Sequence, residues 1–239
     1  MSRRTLRLTQ NDWDTSSLIE AWKRLVNESR CYPAFSGPTW FKETLRHYPD
    51  QEPVVLAHYD GERLEGLFPL VCRTLPEGRR YAFPAERFTE WMDLIVSETG
   101  PVEVDGDLLR SLLDLLEAGD AVHLLNLDIH SRILAAVLVK VEEIKQSFEV
   151  WARVRFQAPY VEIEGSYASY LEKKSGAFRK DVVRGLKKFE SRGLRVVSIQ
   201  DARISHGRLS DFFVTSVRER FEEKSVFSMN SGVEFIRDA

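Results

Sequence analysis

The amino-acid sequence predicts an α/β fold, of the α+β kind, in which helices flank a mixed sheet. Segments whose apolar residues recur at helical spacing alternate with strand-like runs, and no low-complexity linker interrupts them. The hydrophobic fraction is 43% over 239 residues, which is enough for a substantial core. A chain of this length fits one large domain or two domains of ordinary size.

Two helix patterns precede the first strand patterns. The first helix has Asp14 or Thr15 as a candidate N-cap, and the second begins at Pro38, because proline is favoured in a first helical turn. The first helix has one apolar face, which consists of Leu18, Ile19, Trp22, Leu25 and Val26. Two apolar runs then flank Asp60 and Gly61, a dipeptide typical of a tight β-hairpin turn.

The middle of the chain continues the alternation of strands and helices. Asp105 is the candidate N-cap of a leucine-rich helix that extends to Leu116 and ends at Gly119. Ser131 begins a further helix that extends to Lys140. Strands are predicted at 80–83, 91–96, 122–127 and 147–154.

A basic amphipathic helix is predicted between Ser175, its N-cap, and Gly193, its C′ residue. Its apolar stripe consists of Phe178, Val182, Leu186 and Phe189, and its cations lie outside that stripe: Arg179, Lys180, Arg184, Lys187 and Lys188. Two interpretations stay open, a solvated helix surface and a surface for an anionic ligand. The formal charge of the whole chain is −3, so the positive charge is local.

The order of several segments resembles a known family. The second half contains a Pro-Tyr strand at 159–160, Ser-x-x-x-Tyr-Leu at 166–171, the basic helix with Phe-Arg-x₄-Arg-x₄-Phe at 178–189 and Gly-Leu-x-Val-Val at 193–197. In the first half, four further segments contribute to this order: 33–41, 54–70, 90–95 and 123–133. A last segment, at 212–235, has Phe221 at the position where the resemblance predicts a tryptophan. This order resembles the GNAT-type acyltransferases of the cellulose-biosynthesis-associated group, which are related to the Fem-type aminoacyl transferases.

The resemblance implies two GNAT-like domains. Residues 1–155 form a complete but degenerate copy, and residues 156–239 form the first part of a second copy, inside which the chain ends. In a GNAT domain a glycine-rich turn binds the pyrophosphate of acyl-CoA through backbone N–H groups. The corresponding segment here, 97–108, lacks that pattern and carries four acids. The resemblance therefore assigns the cofactor site to the second domain.

The activity implied is transfer of an acyl group from acetyl-CoA or another acyl-CoA to an amine or hydroxyl. The acceptor is a small molecule, a polysaccharide or a peptide, and this chain lacks the cofactor-binding half. Two alternatives remain: a non-catalytic binding or scaffolding module, and a Fem-type transferase that uses aminoacyl-tRNA. A native stop codon after Ala239 would favour the binding module.

Five residues are candidates for substrate binding. Arg179, Lys180 and Arg184 are suited to a phosphate or carboxylate, and Trp40 and Trp91 line a cleft by resemblance. The catalytic residues are unknown. Asp93, an acid between apolar residues of a predicted strand, is a weak catalytic candidate, and a solvent-facing strand residue is the alternative.

Several classes of protein are not indicated by the sequence. Cys31 and Cys72 lack a CxxC spacing and the five histidines lack a ligand spacing, so no metal is expected. There is no signal peptide and no apolar run of about 18 residues, which predicts a cytoplasmic protein without membrane insertion. The net charge gives no reason to expect DNA binding, and the oligomeric state stays open.

Overall fold

The computed structural model describes residues 3–8, 12–86, 88–101, 103–155, 157, 164–193 and 215. These residues fall into two compact units, one that contains the described residues up to 152 together with residue 215, and one that contains the described residues from 153 to 193. We describe each unit separately.

The first unit combines six described strands with five helices. The strands are β1 (Arg3–Leu8), β2 (Glu52–Asp60), β3 (Arg63–Leu75), β4 (Gly78–Ala82), β5 (Ile95–Val96) and β6 (Ala121–His123). The helices are α1 (Ser16–Glu28), α2 (Pro33–Ser36), α3 (Pro38–His47), α4 (Glu103–Leu113) and α5 (Arg132–Ile144). The predicted mixed α/β class is confirmed.

The strands form one sheet in the order β1-β2-β3-β4-β6, and β5 also pairs with β3. All described pairs are antiparallel except β4 with β6, which are parallel. Strands β4 and β5 pair with successive parts of β3: Ala82 lies opposite Val71, and Ile95 lies opposite Leu67. Residues 83–94 therefore leave the sheet after β4 and return to the same partner strand at β5.

Helices cover both faces of the sheet. Alternate residues of β2 belong to different cores: Val55 packs in the cluster of Trp22 and Phe41, from α1 and α3, whereas Leu56 packs in the cluster of Leu108, from α4. Because successive strand residues point to opposite faces, burial on both faces requires a continuous apolar run. The run at 53–57 meets that requirement, since it is buried throughout.

Several predicted helix ends are confirmed. The Thr15 hydroxyl accepts the Leu18 N–H at the start of α1, and Ser131 accepts the Leu134 N–H at the start of α5. Helix α4 begins at Glu103, so Asp105 lies in its first turn and is not its N-cap. Helix α5 extends beyond the predicted Lys140 to Ile144.

The predicted strands are confirmed less well. Residues 147–154 form no strand, and the strand predicted at 91–96 is reduced to the two residues of β5. Strand β6 ends at His123, four residues before its predicted end. Strand β1 was not predicted, because Arg3–Leu8 contains three arginines and only two apolar residues. It pairs with β2 over six residues.

The described part of the second unit contains two helices, α6 (Tyr167–Glu172) and α7 (Gly176–Ser191). The Ser175 hydroxyl accepts the Phe178 N–H at 3.2 Å, as predicted for the N-cap of α7. Gly193 has φ +67° and donates its N–H to the Glu190 carbonyl at 2.9 Å, as predicted for C′. Three segments of the resemblance lie outside the described residues: the Pro-Tyr strand at 159–160, the Gly-Leu-x-Val-Val segment beyond Gly193 and, except for residue 215, the segment 212–235. The second GNAT-like copy therefore stays a prediction.

The loop between α4 and β6 is joined to the start of β4 by Asp120, whose side chain is 4% exposed. Its carboxylate accepts the Arg79 guanidinium at 2.7 Å and the backbone N–H groups of Arg79 and Glu117 at 2.8 and 3.0 Å. The pKa of Asp120 is lowered to about 2, mainly by the hydrogen bond from the Arg79 side chain and next by the hydrogen bond from the Glu117 backbone N–H. The negative charge of Asp120 therefore stabilises the folded state.

Substitution of Gly66 by alanine should destabilise the first unit. A Cβ at Gly66 would lie 2.5 Å from Val104 Cγ1 and 3.1 Å from Leu108 Cδ1, both on α4. Overpacking of this kind costs about 1–3 kcal/mol of unfolding free energy, which urea denaturation measures. Gly106→Ala is the matched control, because a Cβ there meets nothing within 4 Å and alanine favours α4 by about 1 kcal/mol. Equal effects of the two substitutions would contradict this packing.

The Asp120 contacts predict a dependence of stability on pH. The folded-state pKa lies below the ordinary value of about 4, so the stabilisation is present above pH 4 and is lost as the pH falls towards 2. We expect Asp120→Asn to be less stable than the wild type at pH 7, and this difference to shrink between pH 4 and pH 2. Urea unfolding at several pH values measures both effects. Asp114→Asn, at an exposed position, serves as the control; a pH-independent difference for Asp120→Asn would contradict the prediction.

Candidate functional site

The candidate site lies where β4 and β6 end. These strands are the parallel pair of the described sheet, so their carboxyl ends meet at one edge, with Ala82 opposite His123. Two loops follow from that edge, the β4–β5 loop (83–94) and the β6–α5 loop (124–131). In open α/β sheets, ligands bind outside the carboxyl ends of the strands.

A carboxylate and an imidazole meet at this edge. Glu86 Oε2 lies 3.3 Å from His123 Nδ1, and Glu86 Oε1 accepts a hydrogen bond from the Arg80 guanidinium. The Glu86 side chain is 18% exposed, whereas the His123 side chain is 49% exposed. Glu86 Oε2 is buried and has no hydrogen-bond partner among the described residues, so the two groups lie at ion-pair distance without a hydrogen bond. When the proton of a neutral His123 is on Nδ1, its Nε2 keeps a lone pair and can accept a proton. We call these two residues the Glu86–His123 pair.

Backbone strain is concentrated in the same two loops. The non-glycine residues with positive φ, among those described, are Ala85 (48°), Trp91 (54°) and Asn126 (58°). Ala85 and Trp91 lie in the β4–β5 loop and Asn126 lies in the β6–α5 loop. Such conformations cost roughly 1–3 kcal/mol each and are frequent at functional sites, where the surrounding structure holds them in place.

Hydrogen bonds at two points join the loops to each other. The Asn126 side-chain amide donates to the Thr89 carbonyl at 3.0 Å. Four residues farther along, Asp93 accepts hydrogen bonds from Ser131 Oγ and from the backbone N–H of Arg132, at 3.0 and 2.6 Å. Trp91 lies between these two points, so the loops hold its strained backbone from both sides.

Asp93 has a structural role in this arrangement. Its carboxylate also accepts the N–H of Ile133 at 2.9 Å and that of Leu94 at 2.8 Å. With the bonds from Ser131 and Arg132, it satisfies the N-terminus of α5 and faces the positive end of that helix. From the sequence, Asp93 was predicted as a weak catalytic candidate, with a solvent-facing strand residue as the alternative. It lies in a loop and caps a helix.

The two predicted tryptophans both contact the β4–β5 loop. Trp40 is 7% exposed and donates its indole N–H to Thr89 Oγ1 at 3.0 Å, so it supports the loop from inside and does not line a cleft. Trp91 is half-buried, and the Tyr32 ring stacks on it with centroids 5.1 Å apart and planes at 29°. The structure thus brings Trp91, but not Trp40, to the surface of the candidate site.

The start of α4 does not fit a pyrophosphate. Glu103 and Asp105 lie in its first turn, and Asp107 follows. Asp105 accepts the Arg132 side chain at 3.0 Å. Burial raises the pKa of Asp105, and the Arg132 hydrogen bond opposes that rise. Three of the four acids at 97–108 therefore lie within the first five residues of α4, where they repel a phosphate group.

The three predicted cations Arg179, Lys180 and Arg184 lie on α7, in the second unit, and all are exposed. Arg184 forms an ion pair with Asp181, and Arg179 donates to the Glu172 carbonyl at 3.3 Å. Lys180 has no ion-pair partner within the described ranges. The apolar stripe of α7 is not buried there: Phe178 and Leu186 are exposed, although Val182 and Phe189 are half-buried.

The described residues give little support for thiol chemistry, for a metal site or for a membrane-spanning helix. Burial raises the pKa of the Cys72 thiol, which disfavours the reactive thiolate. No group of three or more potential metal ligands occurs in the described part of the chain. Among the same residues, every helix is too short or too polar to cross a bilayer.

Sequence reasoning missed Glu86, Arg80 and His123. Glu86 follows Pro84 in what the sequence shows only as a link between two strands. His123 lies near the start of the strand predicted at 122–127, so no sequence signal indicated that it ends a strand. The position of Glu86 depends on the parallel pairing of β4 with β6, which periodicity does not predict.

Comparison with known protein families, with curated proteins and with solved structures found no significant match for this chain. The geometry of the site is therefore the basis for proposing a function.

Substitution of Asp93 by asparagine tests its capping role. The change keeps the shape but removes the charge that accepts four hydrogen bonds, so we expect the unfolding free energy to fall by about 1.5–3 kcal/mol. Ser131→Ala removes the hydroxyl cap of the same helix and should cost about 1 kcal/mol. Chemical denaturation followed by circular dichroism measures both. An Asp93→Asn protein as stable as the wild type would contradict the capping role.

Proposed function

We propose that this chain functions in acyl transfer of the GNAT type, from an acyl-CoA to an amine or hydroxyl acceptor. In this proposal the acceptor binds at the β4–β5 and β6–α5 loops, and the Glu86–His123 pair removes its proton. The observation that carries the proposal is the contact between Glu86 and His123 Nδ1, 3.3 Å long, at the carboxyl edge of the parallel strand pair.

The pair has the chemistry that a proton-removing group needs. An amine or hydroxyl that forms a bond to an acyl carbon must lose a proton, and imidazole is the side chain best suited to accept it near neutral pH. Glu86, at ion-pair distance from Nδ1, favours a proton on that nitrogen and stabilises the imidazolium that results. Arg80, through its ion pair, fixes Glu86 in turn. No covalent enzyme intermediate is required, because the acceptor attacks directly.

The resemblance described above supplies the reaction class. It implies an acyl thioester as the co-substrate, which provides the activated acyl carbon. The acids at the start of α4 do not fit its pyrophosphate, so we assign this first unit to the acceptor.

The alternative of a non-catalytic binding module is supported by a different observation. The start of α4 is acidic, and the exposed cations of α7 lie in the other unit. A chain that binds an anionic partner without transferring a group would have the same cations. The two functions differ in whether the imidazole of His123 matters.

Substitution of His123 by glutamine tests the proposal. We expect the release of free CoA thiol, measured with acetyl-CoA and a panel of amine and hydroxyl acceptors, to fall by about 10²–10⁴-fold. Glu86→Gln should lower the same rate less, because it leaves the imidazole in place. The pH dependence of the rate should change in both variants.

His130→Gln is the control, because His130 lies in the same loop but its backbone N–H, and not its ring, bonds to Asp128. This variant should keep the wild-type rate. The assay uses the natural full-length protein; if that protein releases no thiol with any acceptor, or if its His123→Gln variant keeps full activity, the proposed function is refuted.

A further inference from the structure

We propose that the free edge of β1 binds an extended acidic segment of a partner protein, which adds a strand to the sheet. β1 lies at one edge of the described sheet and β6 lies at the other, so this surface is separate from the candidate site. The inference does not depend on the proposed function, because no step of acyl transfer involves β1.

The backbone of β1 has one unpaired side. In an antiparallel pair, alternate residues point their N–H and C=O groups away from the partner strand. β1 pairs with β2 from Arg3 to Leu8 without a shift in register, and no other backbone group among the described residues bonds to these six residues. The strand contains no proline and no β-bulge, two features that commonly protect an edge from a further strand. An incoming strand can therefore continue the sheet at β1.

Three arginines make this edge positive. Arg3, Arg4 and Arg7 are exposed, and the six residues of β1 include no acid. No described carboxylate forms an ion pair with any of the three, although Arg4 lies over the Tyr59 ring, with its guanidinium carbon 5.9 Å from the ring centroid. The formal charge of the whole chain is −3, so this positive charge is local and attracts an acidic partner to β1.

The hydrogen-bonding groups of the edge favour a peptide over other anionic partners. The edge presents N–H donors and C=O acceptors in alternation, and an extended peptide presents both in the same alternation. A phosphate group has acceptors alone, so it would leave the carbonyl groups of β1 without donors. A second copy of β1 is disfavoured because its arginines would lie close to those of the first, and like charges on adjacent strands destabilise a sheet.

The spacing of the arginines predicts the sequence pattern of the partner. Arg3 and Arg7 share one face of the strand, and Arg4 lies on the other face. In an antiparallel partner, the residues opposite Arg7, Arg4 and Arg3 are the first, fourth and fifth of a five-residue segment. Guanidinium groups bind carboxylates through two N–H groups, so we expect acids at these three positions. An apolar residue is expected opposite Leu6.

NMR titration of the whole chain with three hexapeptides, blocked at both ends, tests this inference. The acidic probe is Val-Glu-Val-Thr-Glu-Glu, and the basic probe has lysine in place of each glutamate. The proline probe, Val-Glu-Pro-Pro-Glu-Glu, keeps the acids but lacks two adjacent N–H groups, one of which would face β1. We expect the acidic probe to shift the amide signals of β1 and to bind at least about tenfold more tightly than either of the others. Added salt should weaken this binding.

Arg3→Glu combined with Arg7→Glu should reverse the preference, so that the basic probe binds more tightly than the acidic probe. Arg179→Glu combined with Arg184→Glu is the matched control, because it makes the same change in charge at exposed residues of the other unit and should keep the wild-type preference. Circular dichroism checks that both variants are folded, and the three probes with the wild type decide the question even if a variant unfolds. Equal binding of the acidic probe and either other probe, or equal weakening by both double changes, would overturn the inference.

Discussion

The antiparallel pairing of β3 with both β4 and β5 determines where this molecule can bind a ligand. Because Ala82 and Ile95 pair with the same strand, residues 83–94 have to leave the sheet and return to it. The loop leaves at the edge where β6 also ends, since β6 runs parallel to β4. The contact of Glu86 with His123, the strained backbone of Trp91 and the cap on α5 all follow from this path.

The loop stays in place because its polar groups are satisfied by the neighbouring loop and helix. Asp93 connects the return of the chain to the start of α5, and Thr89 connects its middle to Trp40 and Asn126. Without such bonds, this loop would lose the free energy needed to keep Ala85 and Trp91 at positive φ. The site is therefore built from polar contacts on the outside of a core that is itself almost entirely apolar.

Much of the first unit could be predicted from the sequence, because its signals are local. The spacing of Leu18, Trp22 and Leu25, the proline at position 38 and the Asp60-Gly61 turn each act within a few residues. Helix caps at Thr15, Ser131 and Ser175 are equally local and were found. The prediction failed where pairing partners are distant: β1 gains its strand structure from β2, and 147–154 has the composition of a strand but no partner among the described residues.

The candidate site was harder to predict for the same reason. Asp93 was a candidate because it is an acid among apolar residues. Its role as a cap depends on α5, whose N-cap, Ser131, lies 38 residues farther along the chain. Glu86 and His123 are 37 residues apart, and nothing in their neighbours indicates that they meet. Trp40 and Trp91 were both selected, and only three-dimensional packing distinguishes the buried ring from the accessible one.

The β4–β5 loop joins two strands that pair with the same partner, β3, and this has a consequence for how such a protein can change over evolutionary time. Phe83, Met92 and Leu94 belong to the hydrophobic core, so residues can be inserted or deleted only near the exposed Glu90 without disturbing the core or the register of β3. Descendants of one ancestral sheet could thus diversify in the compounds they recognise while they keep the same folding pattern. Sheet residues would then be conserved because they pack the core, whereas loop residues would vary with the compound that is recognised.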